Sequence, residues 1–131
     1  MIHIKYKLDK SKIHGVGLFT DEDLDQGQLV YTASPKLDVN LSEQEFEELN
    51  PKEQVEISYW GFWDKDKNVW HVDFDNSRFI NHSDSPTVTQ DIDRGEAYMV
   101  TTRKVDRGEE ITQNYLEFES VDDLRKRGIE L

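Results

Sequence analysis

Asp73-Phe74-Asp75-Asn76-Ser77-Arg78-Phe79-Ile80-Asn81-His82-Ser83 is the stretch on which the fold turns. Its last six residues hold two apolar side chains, Phe79 and Ile80, between polar ones, next to a turn signal at Ser85-Pro86. Read alone, this is a strand end closed by a polar turn. Asn81 adds an amide that both donates and accepts, and His82 adds an imidazole. Upstream, Asn68 to Phe74 alternates as a strand does, and Asp64-Lys65-Asp66-Lys67-Asn68 is a polar hairpin loop between two aromatic segments.

Two further segments stand out on either side. Towards the C-terminus, Gly108-Glu109-Glu110-Ile111-Thr112-Gln113-Asn114-Tyr115 is a turn entering a strand that ends on a tyrosine. A buried tyrosine is usually a core residue with its hydroxyl satisfied. Towards the N-terminus, His14-Gly15-Val16-Gly17 places alternate glycines where backbone can approach a ligand or take positive φ. It is no dinucleotide fingerprint, since no third glycine follows and no helix starts there; alone it reads as a plain turn.

The rest of the chain is mostly short strands with helices inserted. His3 to Leu8, Gln28 to Thr32 and Tyr98 to Lys104 read as strands, with turns at Asp25-Gln26-Gly27 and Arg107-Gly108. Ser42-Glu43-Gln44-Glu45 is a capping-box pattern, and Asn50-Pro51 restarts a helix with an N-cap and a proline at its first position. Ser120 to Arg127 reads as a last helix, with Asp122 and Asp123 in its first turn, Arg125, Lys126 and Arg127 in its last, and Gly128 just beyond. Local pattern alone gives a β-rich α+β domain and no topology.

The length, 131 residues, suits one domain with a real core. There is no cysteine, which excludes disulfides and thiolate zinc sites. None of the four histidines pair at helical spacing, so no metal site is expected from them. The N-terminus lacks the apolar run of a signal peptide and no stretch is long enough to span a membrane, so the expectation is a soluble intracellular protein. A net charge of −12 argues against direct nucleic-acid binding and favours basic partners.

Together and in this order, the three segments resemble the SET-domain family of protein-lysine methyltransferases. Ser11 to Phe19 looks like the family's N-terminal glycine motif. Asp73 to Ser83 looks like its central motif, ending in Arg-Phe-Ile-Asn-His-Ser. Gly108 to Tyr115 looks like its C-terminal motif, ending in the active-site tyrosine. The resemblance runs from about Ser11 to Phe118. It implies a single SET domain over 1–131: small curved β-sheets with a C-terminal pseudoknot, a helical insert at about 41–60 and a channel-closing segment at about 116–131. It also implies S-adenosylmethionine as methyl donor. His14, Gly15, Val16, Gly17, Tyr59, Arg78, Asn81, His82 and Tyr115 are then the donor-binding candidates, with Tyr115 as the catalytic residue beside the reacting methyl. Tyr59, Trp60 and Gln113 are the candidates for the lysine channel, and no metal is implied. The implied substrate is a lysine on a basic protein: a histone in chromatin for a eukaryotic or viral source, a host histone, DNA-associated or ribosomal protein for a bacterial one. The site of action would be cytoplasm or nucleus, or a host cell into which the protein is delivered.

The chemistry accounts for these residue types. The attacking amine must be neutral, whereas free lysine has a pKa of ~10.4. A desolvating aromatic channel and a nearby sulfonium both lower it. Water can then carry the proton away, and alignment supplies most of the rate. Tyr59, Trp60, Phe62, Trp63 and Trp70 offer aromatic material, although most aromatics are ordinary core.

The sequence departs from the family at several points. Asp84 stands where many members carry cysteine, Thr87 follows Pro86 where they carry asparagine, and Gln113 stands two residues before the tyrosine, where many carry an aromatic. With no cysteine, a zinc-bound post-SET segment is impossible. The tail, or a second subunit in a homodimer, would close the channel instead. The unit is close to a minimal SET domain, like small viral and bacterial members. These departures keep a second reading open, a non-catalytic SET module acting in peptide binding or complex assembly. A hydrolase using Ser83, His82 and an aspartate is disfavoured, because adjacent side chains cannot easily face each other and no nucleophile elbow is present.

Overall fold

Short strands separated by turn residues dominate, and the α-helices form where the capping signals stand. The structure, a computed structural model, describes residues 1–94 and 97–131. In chain order the strands are β1 (Tyr6–Lys10), β2 (Val16–Thr20), β3 (Leu29–Thr32), β4 (Val39–Leu41), β5 (Phe62–Asp64), β6 (Val69–Val72), β7 (Asn81–His82), β8 (Val88–Gln90), β9 (Tyr98–Thr101) and β10 (Thr112–Gln113). The helices are α1 (Glu43–Glu47), α2 (Pro51–Trp60) and α3 (Val121–Lys126). The chain divides into two units, each built from two stretches of sequence: Met1–Ala33 with Asp75–Asn114, and Ser34–Phe74 with Tyr115–Leu131.

In the first unit, β1 and β2 form an antiparallel hairpin with Leu8 opposite Leu18. The first strand starts later than the sequence suggests, at Tyr6 rather than His3, because β2 supplies a partner only as far as Thr20. Ile2 makes an isolated bridge to Tyr31 instead. A three-stranded antiparallel sheet runs in the order β3-β9-β8, so β3 pairs with a strand that arrives much later in the chain. β7 and β10 lie parallel, pairing Asn81 with Thr112 and Gln113 with His82. The core packs Leu18, Leu24, Val30, Ile80, Val88, Met99, Val105 and Ile111 together. Five of these, Leu18, Val30, Val88, Val105 and Ile111, are fully excluded from solvent. Each contributes roughly 1.5–3 kcal/mol of burial.

In the second unit, β4, β6 and β5 form an antiparallel sheet with β6 in the middle. The β5–β6 turn spans the polar loop read from the sequence. The helices α1 and α2 carry the two capping boxes, Ser42 with Glu45 and Asn50 with Glu53, and neither helix buries a residue fully. Phe46 of α1 stacks on Trp70 of β6 at 4.6 Å between ring centroids. Leu124 of α3 is fully buried, Ser120 caps that helix, and Gly128 follows it with φ of 77°. Among the described residues, no helix is long and apolar enough to cross a membrane.

Candidate active site

In the first unit the three sequence segments meet at one side-chain amide. Asn81 lies on β7 and is buried. Its Nδ2 donates to the backbone oxygens of His14 (3.1 Å) and Val16 (3.3 Å) and to Oε1 of Glu110 (2.9 Å). Glu110 in turn accepts from the Ser11 hydroxyl at 2.8 Å and 3.0 Å on its two oxygens. Ser11 Oγ accepts from the backbone N–H groups of Ile13 and His14, which shapes the glycine loop. Gly15 turns that loop with φ of 47°, a conformation open to glycine and costly for other residues.

Gly17 is glycine for a different reason. A Cβ built there would overlap Oε1 of Glu110 and come within 2.8 Å of Glu110 Cδ and 3.1 Å of Ser11 Cβ. Glu110 therefore occupies the space that a side chain at position 17 would need. Backbone bonds reinforce the junction: Thr20 N–H donates to Glu109 O (3.0 Å), Ile111 N–H to Leu18 O (2.7 Å) and Ser83 N–H to Gln113 O (3.0 Å). Thr87 has a clear role here. It is buried, its hydroxyl accepts from Thr112 N–H at 2.9 Å, and its own N–H donates to Thr112 O at 3.1 Å, a reciprocal clasp between the central and C-terminal segments.

His14, Gly15 and Val16 are exposed. Because Nδ2 of Asn81 serves the protein, its Oδ1 remains to accept. His82 is half-buried, with Nε2 3.3 Å from Asp84 Oδ1. Arg78 is exposed, its guanidinium 5.9 Å from the Phe79 ring centroid.

Tyr115 belongs to the second unit and opens a single helical turn, Tyr115–Glu117. Its side chain is buried. Phe118 lies 5.8 Å from it, and Phe62 lies 4.5 Å from Phe118, centroid to centroid. The Arg127 guanidinium sits 5.7 Å from the Tyr115 ring centroid. That guanidinium also donates to both oxygens of Glu119, at 2.5 and 2.6 Å. Glu119 is fully buried, and burial pushes its carboxyl above the usual carboxylate range against the pull of Arg127. Tyr59 is exposed on α2 and meets Trp60 edge-on at 4.8 Å, while Trp60 Nε1 donates to Glu56. Phe118 and, behind it, Phe62 thus stand on the Tyr115 side of this unit. Gln113, half-buried, pairs through its backbone with His82.

Residues 15–116 match the family model of the SET domain. The chain belongs to the SET-domain family. Among solved structures this SET domain is similar to a Plasmodium falciparum candidate histone methyltransferase, at 22% identity and a TM-score of 0.58, covering 87% of this chain and 95% of that one. It is also similar to ctPRC2 in an autoinhibited conformation bound to S-adenosylmethionine, at 22% identity and a TM-score of 0.63, covering 95% of this chain and 17% of that one. A third likeness is to a humanized mutant of the Chaetomium thermophilum Polycomb Repressive Complex 2 bound to an inhibitor, at 23% identity and a TM-score of 0.62, covering 97% and 17%. The SET domain thus spans about a sixth of the two Polycomb chains, and at these identities the likeness is one of fold. No match emerges among curated protein sequences.

The bonding roles of Ser11, Glu110, Glu119 and Arg127 in this SET domain escaped the sequence reading. Serine before a glycine loop and glutamate after a turn glycine are common surface choices, so neither signals a buried network. Glu119 and Arg127 stand eight positions apart, outside the spacing at which helical partners are sought.

Proposed function

We propose that this SET domain is a protein-lysine methyltransferase using S-adenosylmethionine. The observation that carries the proposal is the Asn81 junction, which unites all three family segments with their polar residues in hydrogen-bonding positions. The residues fit such a donor. Asn81 Oδ1 and the Glu110 carboxylate present acceptors, which suit the α-ammonium of an amino-acid group, beside an exposed loop whose backbone can approach a ligand. The donor supplies a methyl group on a sulfonium centre. The chain's own residues bind and orient: Asn81 and the His14–Gly17 backbone hold the amino-acid end, Arg78 and His82 flank it, and the Tyr115 hydroxyl accepts weak C–H···O contacts that align the methyl. Tyr59, Trp60 and Gln113 are the proposed lining for the substrate lysine, whose amine loses its proton to water. A basic protein, a histone among the candidates, is the substrate class that the net charge of −12 supports.

Calorimetric titration with S-adenosylmethionine, followed by transfer of labelled methyl to basic proteins, tests the reading. Tyr115→Phe should bind donor as the parent does yet lose most turnover, about a hundredfold or more. Asn81→Ala should weaken donor binding at least about tenfold, because the loop it holds is released. Full activity in Tyr115→Phe would remove that residue from the chemistry. Saturable donor binding with no transfer to any protein would instead identify a non-catalytic module.

A further inference from the structure

The unit that holds Tyr115 also brings the end of the chain back onto its ring. α3 is short, yet local chemistry fixes both of its ends. Ser120 caps the first turn. At the other end Ile129 N–H donates to Leu124 O and Gly128 N–H to Arg125 O, each at 3.0 Å, with Gly128 at φ of 77°. Those paired bonds around a left-handed glycine are a Schellman stop. Leu124, fully buried, pins the helix to its unit. Arg127 is thereby held at the C-cap with right-handed helical backbone, and its side chain departs from a fixed point.

From there the guanidinium reaches Tyr115. Its Cζ lies 5.7 Å from the ring centroid, within the range at which a cation is drawn to an aromatic face. Its Nη1 donates to both oxygens of Glu119. The Glu119 side chain is 0% exposed and that of Arg127 is 25% exposed. Glu119 is itself tied to the tyrosine, since its N–H donates to Tyr115 O at 2.8 Å. The contacts close a circuit: Tyr115 ring, Arg127 guanidinium, Glu119 carboxylate, Glu119 backbone, Tyr115 carbonyl.

A buried ion pair offers little net stability over apolar side chains of the same size, because desolvation offsets the attraction. What it adds is direction: the carboxylate fixes where the guanidinium stands, and the guanidinium stands against the ring. The phenol oxygen lies on the ring's own axis. A ring flip leaves that oxygen in place, whereas a tilt of the ring carries it away, and a displacement of about 1 Å in a reacting geometry costs on the order of a hundredfold in rate. We infer that Arg127 is a positioning residue for Tyr115, held by Glu119 so that the ring cannot tilt and the hydroxyl keeps its place. The inference rests on the reading of Tyr115 as the residue beside the reacting methyl.

The test uses the full chain with isotopically labelled tyrosine rings. Removing Arg127 alone would strand a buried carboxylate, so the pair is replaced together. Glu119→Leu with Arg127→Met keeps a similar volume and should melt at or above the parent. The Tyr115 ring signals, assigned by their loss in Tyr115→Phe, should broaden or double in this variant, while those of the other four of the five tyrosines stay put. Methyl transfer to a basic protein should fall at least about tenfold in kcat with donor affinity unchanged, a split that a general loss of structure would not give. Arg127→Lys keeps a cation able to bond both carboxylate oxygens and should hold kcat within about threefold of the parent. If the double variant fails to fold, Arg127→Gln takes its place and is read in the same way, since it keeps a donor for Glu119 without the cation. The inference is overturned if the folded variant keeps sharp, unmoved Tyr115 signals, or if its kcat equals that of the parent. A parent that transfers no methyl group sinks the methyltransferase reading instead, and the ring signals then still decide whether Arg127 holds Tyr115.

Discussion

At the scale of single residues, Gly17 and Glu110 form a matched pair. Glycine at position 17 is legible from sequence as a loop residue, but the reason for it is not, because the reason is a carboxylate that arrives almost a hundred residues later. Glu110 cannot simply swing aside, since Ser11 and Asn81 both hold its oxygens. Gly17→Ala should therefore displace Glu110, break those bonds and cost about 1–3 kcal/mol by overpacking. Removing the carboxylate first should remove much of that penalty. A double-mutant cycle of Gly17→Ala with Glu110→Ala, read by urea unfolding, should show a coupling above about 1 kcal/mol. Additive effects would mean that Gly17 is required by backbone conformation alone. Asn81, in contrast, was readable as a candidate through the resemblance of its segment to the family's central motif.

At the scale of elements, what the sequence reveals is what local chemistry controls. The caps at Ser42, Asn50 and Ser120 each depend on a side chain three residues from its partner N–H, so pattern reading finds them. Pairing partners such as β3 with β9 depend on the path of the whole chain and leave no local trace. The fastening of α3 is intermediate: its helix is readable, its anchor is not. That anchor, Glu119 with Arg127, has a pH signature. Burial raises the folded-state carboxyl above its ordinary value. The stabilising contribution is then fully present below the ordinary carboxyl pKa of ~4.3 and is lost as pH rises through the raised value. Glu119→Gln cannot titrate there. The stability of the parent minus that of Glu119→Gln should fall with increasing pH across this window, as measured by urea unfolding of both proteins at a series of pH values. A difference that rises with pH would show that Arg127 holds the carboxyl below its ordinary range.

At the scale of the molecule, 28 acidic residues against 16 basic ones set a self-repulsion that no local pairing removes. Screening it should stabilise the fold. Between about 0.01 and 0.5 M sodium chloride the stability should rise by about 1 kcal/mol, or about 4 °C in melting temperature, as scanning calorimetry would record. A flat response would mean that the surface pairs already balance the field. The same charge was read from composition as favouring basic partners, whereas the division of the chain into two interleaved units could not be read at all, because periodicity reports faces and not destinations.

That interleaving bears on how the chain is made. Residues 1–33 are completed by Asp75–Asn114, and Leu18 packs with Ile111, so these first 33 residues leave the ribosome long before their partners exist. Leu18, Leu24 and Val30 stay uncovered throughout that interval, and closing such long loops is slow. Vectorial synthesis gives this unit little head start: the sheet that pairs β3 with β9 is assembled only after Thr101 has been made, and the nascent chain depends until then on its charge, or on a chaperone, to stay soluble.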